Sequence, residues 1–134
     1  MASSEGVRSF EGIWLSRYVI HRSGHSMDEV YEHSIVVREQ GDHLFATSLP
    51  HPSGSTVSLD LAIEPPTATG TWREATASDG PYEGATYHGA LQLIIAPDGL
   101  SMNGLWIGFG RRLDMNTGEW TLTLQSRSTH TDAR

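Results

Sequence analysis

The chain has 134 residues, 37% of them hydrophobic, which suits one domain long enough to bury a core. Asp and Glu number 16 against nine basic residues, all arginine, for a formal net charge of −7; that balance argues against a broad phosphate-binding surface and leaves no Schiff-base lysine. Cysteine is absent, which removes disulfides, thiolate nucleophiles and Cys-ligated metals and fits a reducing interior.

The N-terminus "MASSEGVRSF" lacks the basic start and apolar run of a secretory leader, and no apolar stretch approaches the roughly 20 residues that span a bilayer. The expectation is a cytoplasmic protein with neither membrane nor nucleic acid as a direct partner. Residues 1–9 and 127–134 read as disordered tails around a single domain over 10–126.

Helical periodicity is almost missing, whereas period-two alternation recurs between clusters of Gly, Pro, Asp and Ser. The first strand, 10–20, turns Phe10, Gly12, Trp14, Ser16 and Tyr18 to one face. The second, 30–39, turns Tyr31, His33, Ile35 and Val37 inward, and the third, 43–49, carries Ser48 near its end. In the fourth, 55–63, Val57, Leu59, Leu61 and Ile63 alternate with Ser58, Asp60 and Ala62. The fifth, 67–75, sets Glu74 on the same face as Trp72. The sixth, 84–95, presents Tyr87, Gly89, Leu91, Leu93 and Ile95. The seventh, 101–110, is ambiguous, since either Trp106 or the set Leu105, Ile107 and Phe109 could face in. The eighth, 118–126, points Trp120, Leu122 and Leu124 inward.

Short connections make consecutive strands antiparallel neighbours, and eight such strands close into an all-β, eight-stranded antiparallel up-and-down barrel. The connections "QGD", "EPPT" and "APDGL" are tight, while "HRSGHSMDE", "PHPSG", "TASDGPYE" and "RRLDMNTG" are longer. The two sets fall at opposite ends, so the first is expected to close a floor and the second to frame a mouth, with Tyr82 in the likeliest lid.

Glu74 is the chemical oddity. Burying a carboxylate with no partner costs several kcal/mol, yet its parity with Trp72 puts it inside, late in a strand running toward the mouth. Tyr18, His33, Ser48 and Tyr87 reach the same level and are its candidate hydrogen-bond partners. Trp14, Trp72, Trp106 and Trp120 complete the candidate ligand-binding set as walls, and a mostly apolar pocket with a few convergent polar groups is the usual make-up of a small-molecule site. His88 joins the set only if a bulge reverses its parity beside Tyr87. His21, His25 and His51 lie on mouth loops without a regular metal-ligand spacing, so neither a metal nor a cofactor is expected.

The opening "GIWLSRY", with "TGTW" and "NGLWIGFG" later, resembles the calycin group of barrels, which includes lipocalins and avidins. A longer likeness, carried by "TGTWREATASDGPYEGATYHGALQLII", "MNGLWIGFGR" and "NTGEWTLTL", is to a bacterial ligand-sensing barrel domain found behind helix-turn-helix segments in some transcription regulators. That resemblance implies ligand sensing without naming a ligand, and the chain has neither a helix-turn-helix nor the C-terminal helix of a lipocalin.

Two functions remain open. One is an intracellular cup for a small hydrophobic molecule, oriented by Glu74, Tyr18 or Tyr87, with a homodimer left open. The other is a cofactor-independent cyclase or isomerase acting on a polyketide- or polyene-like substrate, with Glu74 or His33 as catalytic acid or base.

Overall fold

The alternation forms eight strands: β1 (Gly12–Ile20), β2 (Glu29–Gln40), β3 (His43–Ser48), β4 (Thr56–Glu64), β5 (Thr67–Ala75), β6 (Thr86–Ile95), β7 (Ser101–Phe109) and β8 (Met115–Ser126). The structure, a computed structural model, describes residues 9–20, 29–50, 54–75, 86–109, 113 and 115–127. Every strand pairs antiparallel with the next and β8 pairs with β1, so the sheet is a closed up-and-down barrel without an edge strand. Among the described residues no helix is long and apolar enough to cross a membrane.

The inward faces follow the alternation. Trp14, Ile35, Leu61, Leu93, Met102, Trp120 and Leu122 are almost wholly buried in one core cluster. β7 resolves in favour of the tryptophan: Trp106 is 5% exposed, while Leu105 is 59% and Ile107 46% exposed on the outer wall. Its inward face is therefore Met102, Gly104, Trp106 and Gly108, and hydrophobicity summed over the strand does not reveal it.

Two boundaries differ from expectation. β8 begins at Met115, not at residue 118, because Met115 to Gly118 pair with Phe109 to Trp106. The connection read as "RRLDMNTG" shrinks to residues 110–114, no longer than the floor connection 96–100. Phe10 also falls outside β1, which starts at Gly12. Gly12 has φ +151°, and a Cβ there would stand 2.3 Å from the Ser126 carbonyl oxygen, at the seam where β1 meets β8.

The segment Ser9–Glu11 lies against the floor end. Phe10 packs on the core with its ring 6.4 Å from that of Trp14, whose indole N–H donates to the Phe10 carbonyl at 2.9 Å. Glu39 accepts from the Phe10 N–H, and Glu11 accepts from the Glu39 N–H at 3.0 Å. The floor is thus covered by a plug as well as by hairpins.

Two of the remaining indoles cross a neighbouring strand along the wall. Trp72 on β5 crosses β6 to donate to the Ile107 carbonyl on β7 at 3.2 Å, and Trp106 on β7 crosses β8 to donate to the Val19 carbonyl on β1 at 2.9 Å. Glycine makes the crossings possible: a Cβ at Gly108 would lie 2.5 Å from Trp72 Cζ2, and one at Gly118 would lie 2.8 Å from Trp106 Nε1.

Candidate functional site

β1 and β5 are four strands apart in either direction around the barrel, so their inward side chains meet across the lumen. Near the upper ends of these strands stand Tyr18 and Glu74. The Tyr18 hydroxyl is buried and has no partner at ordinary hydrogen-bond length. The group it faces is the Glu74 carboxyl, close enough for each to alter the other's acidity.

Burial dominates both groups. It lifts the Tyr18 phenol far above its ordinary range, and the facing Glu74 charge adds to the lift. Burial also raises the Glu74 carboxyl, against a smaller opposing pull from the Tyr18 hydroxyl. Among the described residues Glu74 has no ion pair, and the strand arginines Arg17, Arg38 and Arg73 point outward.

The same level gathers other polar side chains. Tyr87 is directly opposite Glu74 on β6, and Tyr31 is opposite Tyr18 on β2. Tyr18 and Tyr31 stack at 5.4 Å between ring centroids, and the Tyr31 hydroxyl donates to Glu29 at 2.9 Å. His33 lies parallel to Tyr18 with centroids 6.4 Å apart, and its Nε2 is 3.2 Å from the Ser55 hydroxyl. Ser48 is present but engaged, accepting the Val57 N–H at 2.9 Å.

Beneath this layer lies aromatic packing. Trp120 is 4.5 Å from Tyr18 and 6.0 Å from Trp72 by centroid, and Trp72 meets Trp106 edge to face at 5.4 Å. Trp120 donates to the buried Ser16 hydroxyl at 2.8 Å. All four indole N–H groups are therefore satisfied by the protein, so the tryptophans offer ring surface, not donors.

The structure thus brings Tyr18, His33, Glu74 and Tyr87 together, with Trp72, Trp106 and Trp120 directly below. It does not bring Trp14, which belongs to the floor with Phe10. His88 is on the outer wall, 5.0 Å from the Phe109 ring, because no bulge interrupts its pairing with Arg73. It borders an open groove of about 530 Å³ with Phe45, Ser58, Asp60 and Arg73, outside the barrel. Tyr82, His21, His25 and His51 fall outside the described residues. No protein-family model matches the chain, and no curated protein matches it.

Three further residues belong to this layer that the sequence pattern does not mark as site residues: Glu29, Tyr31 and Ser55. Tyr31 shares parity with His33, and so does Glu29, which was legible; Ser55 is near only through the β3–β4 connection.

Proposed function

We propose that the protein is an intracellular small-molecule-binding barrel whose site is the layer around Glu74 and Tyr18, taking a ligand with a largely apolar body. The observation that carries this is the facing pair itself. A carboxyl and a phenol reach across the lumen from opposite walls, and among the described residues the phenol has no hydrogen bond of ordinary geometry. Leaving a buried polar group unmet costs about 1–3 kcal/mol, and a ligand that supplies the partner recovers it. The tightly packed rings below favour a shallow site above Trp120, not a deep apolar cup. The likeness of "TGTWREATASDGPYEGATYHGALQLII" to ligand-sensing barrels of transcription regulators points the same way.

The test is a titration of hydrophobic alcohols, ketones and amines followed by tryptophan fluorescence, in wild type, Glu74→Gln and Tyr18→Phe. Saturable binding that weakens about tenfold in either variant supports the proposal. Binding indifferent to both substitutions sinks it.

A cyclase or isomerase is the second reading, favoured by the burial that raises the Glu74 carboxyl, a shift in the direction that suits an acid-base group. It requires turnover of a polyene or polyketide that falls roughly 10²- to 10⁴-fold in Glu74→Gln while binding persists.

A further inference from the structure

Resting on the binding-barrel proposal, we infer that the ligand class is an organic cation: an ammonium or similar positive head that seats against Glu74 among the tyrosine rings, with an apolar body on the tryptophan floor. Three independent observations converge on it. The first is the sign of charge inside the rim. Glu74 and Glu29 occupy inward positions near the upper ends of β5 and β2, while the described arginines on the strands point outward. Among the described residues no arginine on a strand faces Glu74, and a carboxylate in a poorly solvated position is stabilised most by an opposite charge.

The second is the surface that surrounds the carboxyl. Tyr31, Tyr18, Trp120 and Trp72 form a chain of ring contacts at 5.4, 4.5 and 6.0 Å between centroids. Aromatic faces carry negative electrostatic potential and attract cations within about 6 Å, most strongly where water is excluded. The same rings give an anionic head nothing.

The third is the inventory of hydrogen-bonding groups. The indole N–H donors are consumed by the oxygens of Phe10, Ile107, Val19 and Ser16, so the rings present faces and no donor. A ligand carboxylate or phosphate would find hydroxyls but no indole N–H, and the Glu74 carboxyl against it. A ligand that donates or carries positive charge finds acceptors. The net charge of −7 adds a long-range field of the same sign.

The experiment uses three ligands with one body: phenylpropyl-trimethylammonium, its uncharged tert-butyl isostere and the matching phenylalkyl carboxylate. Each is titrated into the full-length wild type, Glu74→Gln and Tyr18→Phe by tryptophan fluorescence and calorimetry. Thermal melts verify that each variant is folded. In wild type the ammonium should bind at least tenfold tighter than the isostere, with the carboxylate weakest. Glu74→Gln should reduce the preference for charge to threefold or less while leaving isostere affinity within threefold. Tyr18→Phe should retain the preference, since it keeps both the ring and the carboxylate, and it preserves the test if Glu74→Gln does not fold. Equal binding of ammonium and isostere overturns the cation assignment and leaves the site in place. An ammonium preference that survives in folded Glu74→Gln also overturns it. Failure of all three ligands to bind overturns this inference and the binding-barrel proposal together.

Discussion

The lower and upper halves of the barrel interior obey different rules. In the lower half the buried indoles have dedicated protein partners: Trp14 with Phe10 and Trp120 with Ser16. In the upper half the Tyr18 hydroxyl faces the Glu74 carboxyl and, among the described residues, has no hydrogen bond of ordinary geometry. Both halves are built from the same alternating strands, so the difference is one of residue choice at inward positions, not of backbone. Stability is concentrated below and unspent interaction capacity above, which is where a binding surface is expected on a rigid scaffold.

The sharpest way to break that contrast is Trp120→Ala. The side chain is almost wholly buried beneath Tyr18, and its removal should destabilise the fold by about 3–5 kcal/mol in urea denaturation. A loss under about 1 kcal/mol would mean that the lower half is loosely packed. Next comes Gly118→Ala, whose Cβ would fall 1.8 Å from the Val19 carbonyl oxygen and against Trp106. An expected loss of about 1–3 kcal/mol, with a changed Trp106 emission spectrum, would verify the close crossing. Ser16→Ala leaves the Trp120 N–H without its acceptor and should cost about 1–3 kcal/mol.

Glu74→Gln should act in the opposite sense, and its effect depends on pH. The folded carboxyl holds its proton more tightly than the unfolded one, so the folded state binds more protons once pH exceeds the ordinary carboxylate range. Stability should therefore decline as pH rises from that range through the raised pKa, and it should be greatest below it. Glu74→Gln should flatten the decline, measured as melting temperature from pH 4 to 8. A wild-type profile that instead rises across this window would show that the carboxyl is stabilised as an anion.

Much of this was legible in the sequence for a physical reason. A closed barrel imposes one parity on each strand, so Val57, Leu59 and Leu61 announce their face, and Glu74 inherits its face from Trp72. What escaped were features whose cause is remote in sequence. Asn116, Thr117 and Gly118 read as a turn because glycine at 118 is explained only by an indole from another strand. The same hidden cause left β7 ambiguous, since Gly104 and Gly108 weaken the inward signal while Leu105 and Ile107 strengthen the outward one. The meeting of Tyr18 with Glu74 depends on strand count: eight strands set β1 against β5, and the pairing is visible only once closure is assumed.

The indole of Trp106 has a kinetic consequence for the chain ends. Because it ties β7 to the Val19 carbonyl across the inner face of β8, separating β1 from β8 also breaks a bond supplied by a third strand. Terminal strands ordinarily fray by themselves and exchange their amide hydrogens through small local openings. Here the first and last strands are coupled to the middle of the sheet, so amides along the upper part of the seam should exchange only when the whole barrel opens. In Trp106→Phe, which loses the N–H, that protection should drop to the level of local fraying while the core of β4 and β5 keeps its own.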